Sequence, residues 1–140
     1  MILKIAYFFR YAASVFDKTR VRSQDVRSVI ACIAENPAGA QVAWRFTQMH
    51  WEKLLEQFGA GSFTMGAIIE SVIGHFSNEF DYESVKEFFT GKKVGSGKRS
   101  LEQSMEQILI NIHWRSHSEG EIRHWISEKL GRRTNNLVIE

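Results

Sequence analysis

His113 and His117 stand one helical turn apart, a spacing that lets two imidazoles share one helix face. Glu119, Glu121 and His124 follow closely, so nitrogen and carboxylate donors of the kind that hold zinc gather in one stretch. His50 and His75 are distant in sequence, and no HExxH pair occurs, so the usual helix-borne zinc pattern is missing. A chance pair on a solvent-facing strip is therefore the expected reading of His113 and His117. No metal ligand is assigned, and an enzyme built on His113, His117 and Glu121 is the weakest of the functional readings.

The other chemistry-bearing residues point the same way. The stretch Gly91-Lys-Lys-Val-Gly-Ser-Gly-Lys98 has the composition of a phosphate loop but not its spacing. The second glycine of such a loop would fall at Ser96, Arg99 replaces the hydroxyl residue after the lysine, and no strand precedes it. A linker between helices is expected instead. Cys32, the only cysteine, lies in the apolar run from Val29 to Ala34 and is expected to be a buried, inert thiol with no activating base. The serines fall at caps and loops, and carboxylate pairs such as Glu102 with Glu106, or Glu79 with Asp81, are the ordinary furniture of exposed helix faces. No catalytic residue is assigned.

The elements that carry these residues are helices. Met65, Ile68, Ile69, Val72, Ile73 and Phe76 recur at three- and four-residue steps, the mark of one buried helix face. Val26, Val29, Ile30 and Ile33 form a second stripe, Leu101, Met105, Ile108 and Ile112 a third, and Ile122, Trp125, Ile126 and Leu130 a fourth. Asn36-Pro37, Ser100 with Gln103, Ser118 with Glu121, and Asp81 read as helix starts, and Gly131 as a stop. These signals predict helices near 2–16, 24–35, 37–58, 63–77, 82–90, 100–117 and 119–131. Trp44, Trp51 and Phe58 recur every seven residues, and with Trp114 and Trp125 they are expected to pack inside. The short connections imply antiparallel helical hairpins, stacked as a HEAT-like α-solenoid. The expected architecture is one all-α domain over 1–131, followed by a polar tail over 132–140.

Composition agrees and removes other classes. With 140 residues the chain suits one domain, and its single proline permits long helices. A net charge of +2, spread among acidic residues, gives no basic track for nucleic acid. Residues 1–16 are too short and too charged, at Lys4 and Arg10, to span a bilayer or to form a signal peptide.

Several segments together resemble the C-terminal helical domain of the aminopeptidase N family. They are Arg20-Val-Arg-Ser-Gln-Asp25, Ala43-Trp44-Arg-Phe46 with Trp51-Glu-Lys-Leu54, Gly61-Ser-Phe63, His75-Phe-Ser-Asn-Glu-Phe80, Gly95-Ser-Gly-Lys-Arg99-Ser-Leu-Glu-Gln103, Asn111-Ile-His-Trp114 and Trp125. Their order and spacing, over residues 10–130, make the resemblance specific. It implies a parent that is a zinc exopeptidase removing N-terminal residues from peptides, at the plasma membrane or secreted. The family's GxMEN and HExxH…E motifs are absent here, so no catalytic or zinc residue carries over, and the zinc is expected in the parent's catalytic domain.

The resemblance implies a non-catalytic role as scaffold and as wall or lid of the peptide cavity, with the catalytic domain and peptide substrate as partners. If the concave face lines that cavity, Arg45 and Arg115 are the polar helix residues singled out for substrate contact, and a solvated face is the bland reading of each. The alternative is a stand-alone helical repeat module that binds a protein or peptide, with a homodimer as one way to cover its apolar surface. A domain separated from its neighbour should expose an apolar patch, expected on the first helix at Ile2, Leu3, Ile5, Phe8 and Phe9.

Overall fold

A computed structural model of the chain describes residues 2–60 and 63–136, with side chains described for 5–60 and 63–130. It is all-α and solenoid-like. Among the described residues there are seven α-helices and no strand: α1 (Ile2–Ala13), α2 (Val26–Ala34), α3 (Ala40–Met49), α4 (Trp51–Phe58), α5 (Thr64–Ile73), α6 (Glu79–Phe89) and α7 (Lys98–Asn136). Short 3-10 turns at Ser14–Phe16, Ser23–Asp25 and Gly95–Gly97 link them. None of the described helices is long and apolar enough to cross a membrane.

The central element is α5, which packs against α2 on one side and α7 on the other, with α3 and α4 also in contact. Its apolar stripe of Met65, Ile68, Ile69, Val72 and Ile73 is buried, and so are Gly66 and Ser71 on either side of it. Such a helix is stable only when wrapped by others. The crossing with the start of α7 is close because glycines meet there. A Cβ on Gly66 would sit 2.5 Å from the Ser100 hydroxyl, and one on Gly97 would sit 2.6 Å from Cδ1 of the buried Ile69. The glycine run before α7 is thus a packing device. Gly95 has φ +58°, and a Cβ there would lie 2.8 Å from the Gly59 carbonyl oxygen. That carbonyl accepts a hydrogen bond from the Ser96 amide at 3.3 Å, which pins the linker to the end of α4.

The helix count matches expectation, but two boundaries move in opposite directions. The helix expected over 37–58 is split at His50, whose backbone (φ −114°, ψ 17°) leaves the helical region. The His50 ring packs on Phe46 (centroids 4.6 Å apart) and Phe16 (5.5 Å). This tertiary contact re-aims α4 so that Trp51, Leu54 and Phe58 are buried. Conversely, the helices expected over 100–117 and 119–131 are one. Neither Ser100 nor Ser118 starts a helix, and the helix passes Gly131 to Asn136. Arg115 and Arg123, one turn either side of Glu119, bond to it at 2.7 and 2.6 Å and carry the helix across the expected break. The cap of α6 is Asn78, whose side chain accepts from the Asp81 amide at 2.9 Å. Asp81 is instead buried in the first turn, accepting from Gln41 at 3.0 Å and Asn78 at 2.6 Å.

Three further expectations change. Cys32 is exposed, because it falls on the outer side of α2 while Val29, Ile30 and Ile33 take the inner one. Trp44 and Trp51 do form a seam, with edge-to-face contacts to Phe88 and indole N–H bonds to Ser84 and the Lys93 carbonyl. Trp114 and Trp125, however, are each 59% exposed. Beyond Ile112, which still packs on the core, α7 projects past the body, and its stripe of Ile122, Trp125, Ile126 and Leu130 faces solvent. The exposed apolar patch therefore lies mainly on α7. On α1, Ile5 is exposed, Phe8 and Phe9 pack partly on the core, and the side chains of Ile2 and Leu3 lie outside the described residues. Gly61, Ser62 and residues 137–140 also lie outside them.

Candidate functional site

The two arginines singled out in the sequence lie in different surface grooves. Arg45, exposed on α3, borders a groove of about 530 Å³ between α1, α3 and α6, together with Phe9, Gln48, Phe80 and Ser84. Arg115 borders one of about 700 Å³ between the end of α5 and α7, together with His75, Ile110, Asn111 and Trp114. A third groove, about 380 Å³, runs between α2, α5 and α7 and carries Arg27, Glu35, Glu70 and Gln103. It shares Gly74, His75 and Gln107 with the Arg115 groove, so the two form one trough along α7. Sequence reasoning missed this trough, because its residues come from three helices far apart in the chain.

The trough is held in shape by Asn111. Its side-chain NH₂ donates to the carbonyls of Gly74 at 3.1 Å and Phe76 at 3.0 Å, where α5 ends. Its oxygen accepts from Gln107 at 2.9 Å. The terminal carbonyls of a helix have no partner within it, and here α7 supplies one from the side. A polar residue beside the stripe of Ile108 and Ile112 is the signal in the sequence that could have found this contact.

Arg115, at the edge of the trough, is paired with Glu119. The hydrogen bond from Arg115, then that from Arg123, holds its carboxyl below the usual glutamate range, and the same bond raises the Arg115 guanidinium. Arg115 therefore reaches the groove already paired. Arg45 makes no such ion pair among the described residues.

The histidines behave differently from one another. His50 is packed between phenylalanines and His75 lines the trough. His113 and His117 are brought together, their ring centroids 4.1 Å apart. Among the described residues, no group of three or more His, Cys, Asp or Glu side chains converges to hold a metal ion, so Glu121 and His124 do not join the pair.

Comparison with known proteins decides the family. The model of the ERAP1-like C-terminal domain matches residues 5–110. The chain belongs to this C-terminal domain of the aminopeptidase N family. Aminopeptidase N of dog (Canis lupus familiaris) is 35% identical over 122 residues, which cover 85% of this chain and 12% of the dog protein. Aminopeptidase Ey of chicken (Gallus gallus) is 34% identical over 119 residues, 83% of this chain and 12% of that protein. Human endoplasmic reticulum aminopeptidase 1 is 34% identical over 119 residues, 84% and 13%. The chain thus spans about an eighth of the length of the relatives it matches.

Within this ERAP1-like domain, the segments that suggested the family have structural uses. In Arg20-Val-Arg-Ser-Gln-Asp25, the Arg22 Nε donates to Asp25 at 3.0 Å in the turn before α2. Trp44 and Trp51 build the aromatic seam, Gly95 and Gly97 allow α7 to dock, and Asn111 ties α7 to α5.

Proposed function

We propose that this chain is the non-catalytic C-terminal domain of a zinc-dependent aminopeptidase, serving as scaffold and as one wall of the cavity that holds the peptide. The observation that carries the reading is the alignment of nearly the whole chain with about an eighth of each aminopeptidase. The partner is the catalytic domain of the same parent, where the zinc belongs. The apolar stripe on the projecting part of α7 supports the reading, because contiguous apolar surface of this kind marks a protein contact.

The contribution to chemistry is indirect. A helical wall excludes bulk water and limits which peptides reach the reacting centre. Arg45 and Arg115 are the side chains we assign to peptide contact. Arg45 is the stronger of the two, since Arg115 must first share its charge with Glu119. Both are suited to carbonyl or carboxylate oxygens, which the planar guanidinium binds through paired N–H groups.

The test is an aminopeptidase assay on the purified chain with added zinc, over a panel of N-terminal amino acid reporter substrates. No turnover above a metal-only blank is expected. Turnover abolished both by a chelator and by His113→Ala would overturn the non-catalytic reading.

A further inference from the structure

We infer that His113 and His117 form a two-histidine site for one divalent transition-metal ion of the zinc, nickel and copper class. The inference is independent of the aminopeptidase reading, which assigns no role to either histidine.

The geometry comes first. The two rings lie one turn apart on a helix, with centroids 4.1 Å apart and planes tilted by 38°, a separation that two imidazoles sharing one ion can adopt. Both residues are exposed. Ile108 and Ile112 face the body, and the helical rotation per residue swings His113 and His117 to the outward side, clear of the packed face.

The second observation is the proton position on His117. Its Nδ1 lies 2.8 Å from the His113 carbonyl oxygen. A carbonyl only accepts, so Nδ1 carries the hydrogen and donates it. Ser116 Oγ, 3.1 Å from the same nitrogen, donates its own hydrogen to that carbonyl at 2.8 Å. In the neutral ring this leaves Nε2 with the lone pair. A ligand histidine is commonly held in this way, with one nitrogen on a backbone carbonyl and the other on the metal. The carbonyl fixes the ring orientation before any ion arrives.

The donor set selects the metal class. Two neutral imidazoles suit zinc, nickel and copper, whereas magnesium and calcium require oxygen ligands. Glu121 and His124 do not converge on the pair, so the other coordination positions are filled by water. Binding has a mechanical consequence. The pair sits between Asn111, whose side-chain hydrogen bonds tie α7 to the end of α5, and Gly120, which weakens a helix interior. An ion bridging the two rings staples this turn and stiffens the projecting part of α7.

The test is calorimetric titration of the chelator-stripped 140-residue chain with nickel sulfate and, separately, zinc sulfate. About one equivalent is expected, with affinity reduced about tenfold or more in His113→Ala and in His117→Ala, the scale on which even outer-shell changes weaken a metal site. His75→Ala, His124→Ala and Glu121→Gln should leave it unchanged. Amide hydrogen exchange across residues 113–121 should slow when the ion is bound. Alanine favours helix, so both key variants should fold, and their far-ultraviolet dichroism checks this. Absence of binding by the wild-type chain would overturn the inference, as would equal affinity in the folded His113→Ala and His117→Ala variants.

Discussion

Replacing Asn111 isolates the contact that closes the trough. In Asn111→Ala two donors are lost from the carbonyls of Gly74 and Phe76, at 3.1 and 3.0 Å. A typical hydrogen bond contributes about 0.5–1.5 kcal/mol net, so two of them amount to about 1–3 kcal/mol. Asn111 is half-buried, and water can partly replace the lost donors, which favours the lower half of that range. For a domain of this size, each kcal/mol shifts Tm by about 3–5 °C. Asn111→Asp is the sharper variant. It keeps the shape but turns a donor into an acceptor facing two other acceptors, so it should cost at least as much as alanine near neutral pH. Urea denaturation followed by circular dichroism, with a matching thermal melt, measures both. If Asn111→Asp were as stable as the wild type, the docking of α7 through this side chain would be refuted.

Four further outcomes follow from the same packing. Gly95→Ala should destabilise the fold by about 1–3 kcal/mol in urea denaturation, because it meets both a positive φ and the Gly59 carbonyl. Ile108→Ala should cost about 2–5 kcal/mol by the same measurement, since Ile108 is 0% exposed and its loss leaves a cavity under α7. Cys32 should react with a thiol reagent in the native chain at a rate close to that in denaturant, because it is exposed. Glu119 has its folded-state carboxyl held below its ordinary value of 4.5, so its support for the projecting part of α7 is fully present above about pH 4.5. That support is lost as pH falls through the lowered value. Acid titration followed at 222 nm should show a loss of helicity in that range that is absent in Glu119→Gln.

Helix type was legible because the apolar period is strong, as in Met65 to Phe76, and the close docking of α7 was latent in its glycines. Boundaries were not legible where distant residues set them. Nothing local marks His50 as a break; Phe16, more than thirty residues earlier, supplies part of the packing that makes it one. The opposite error came from local signals that went unused. Ser118 and Glu121 have the form of a capping box, but the paired charges around Glu119 continue the helix through them. The stripe of Ile122, Trp125, Ile126 and Leu130 has a true helical period, yet all four side chains are exposed. Arg45 and Arg115 were both read as polar helix residues, but their separation into two grooves depends on how α3 and α7 are placed across the fold.

The central claim is that this chain supplies the C-terminal helical domain of an aminopeptidase. The direct test replaces the aligned segment of dog aminopeptidase N with the matching 122-residue stretch of this chain and measures peptide turnover beside a variant lacking that segment. The account predicts that the folded chimera regains turnover that the deletion loses. A folded chimera no more active than the deletion would contradict it.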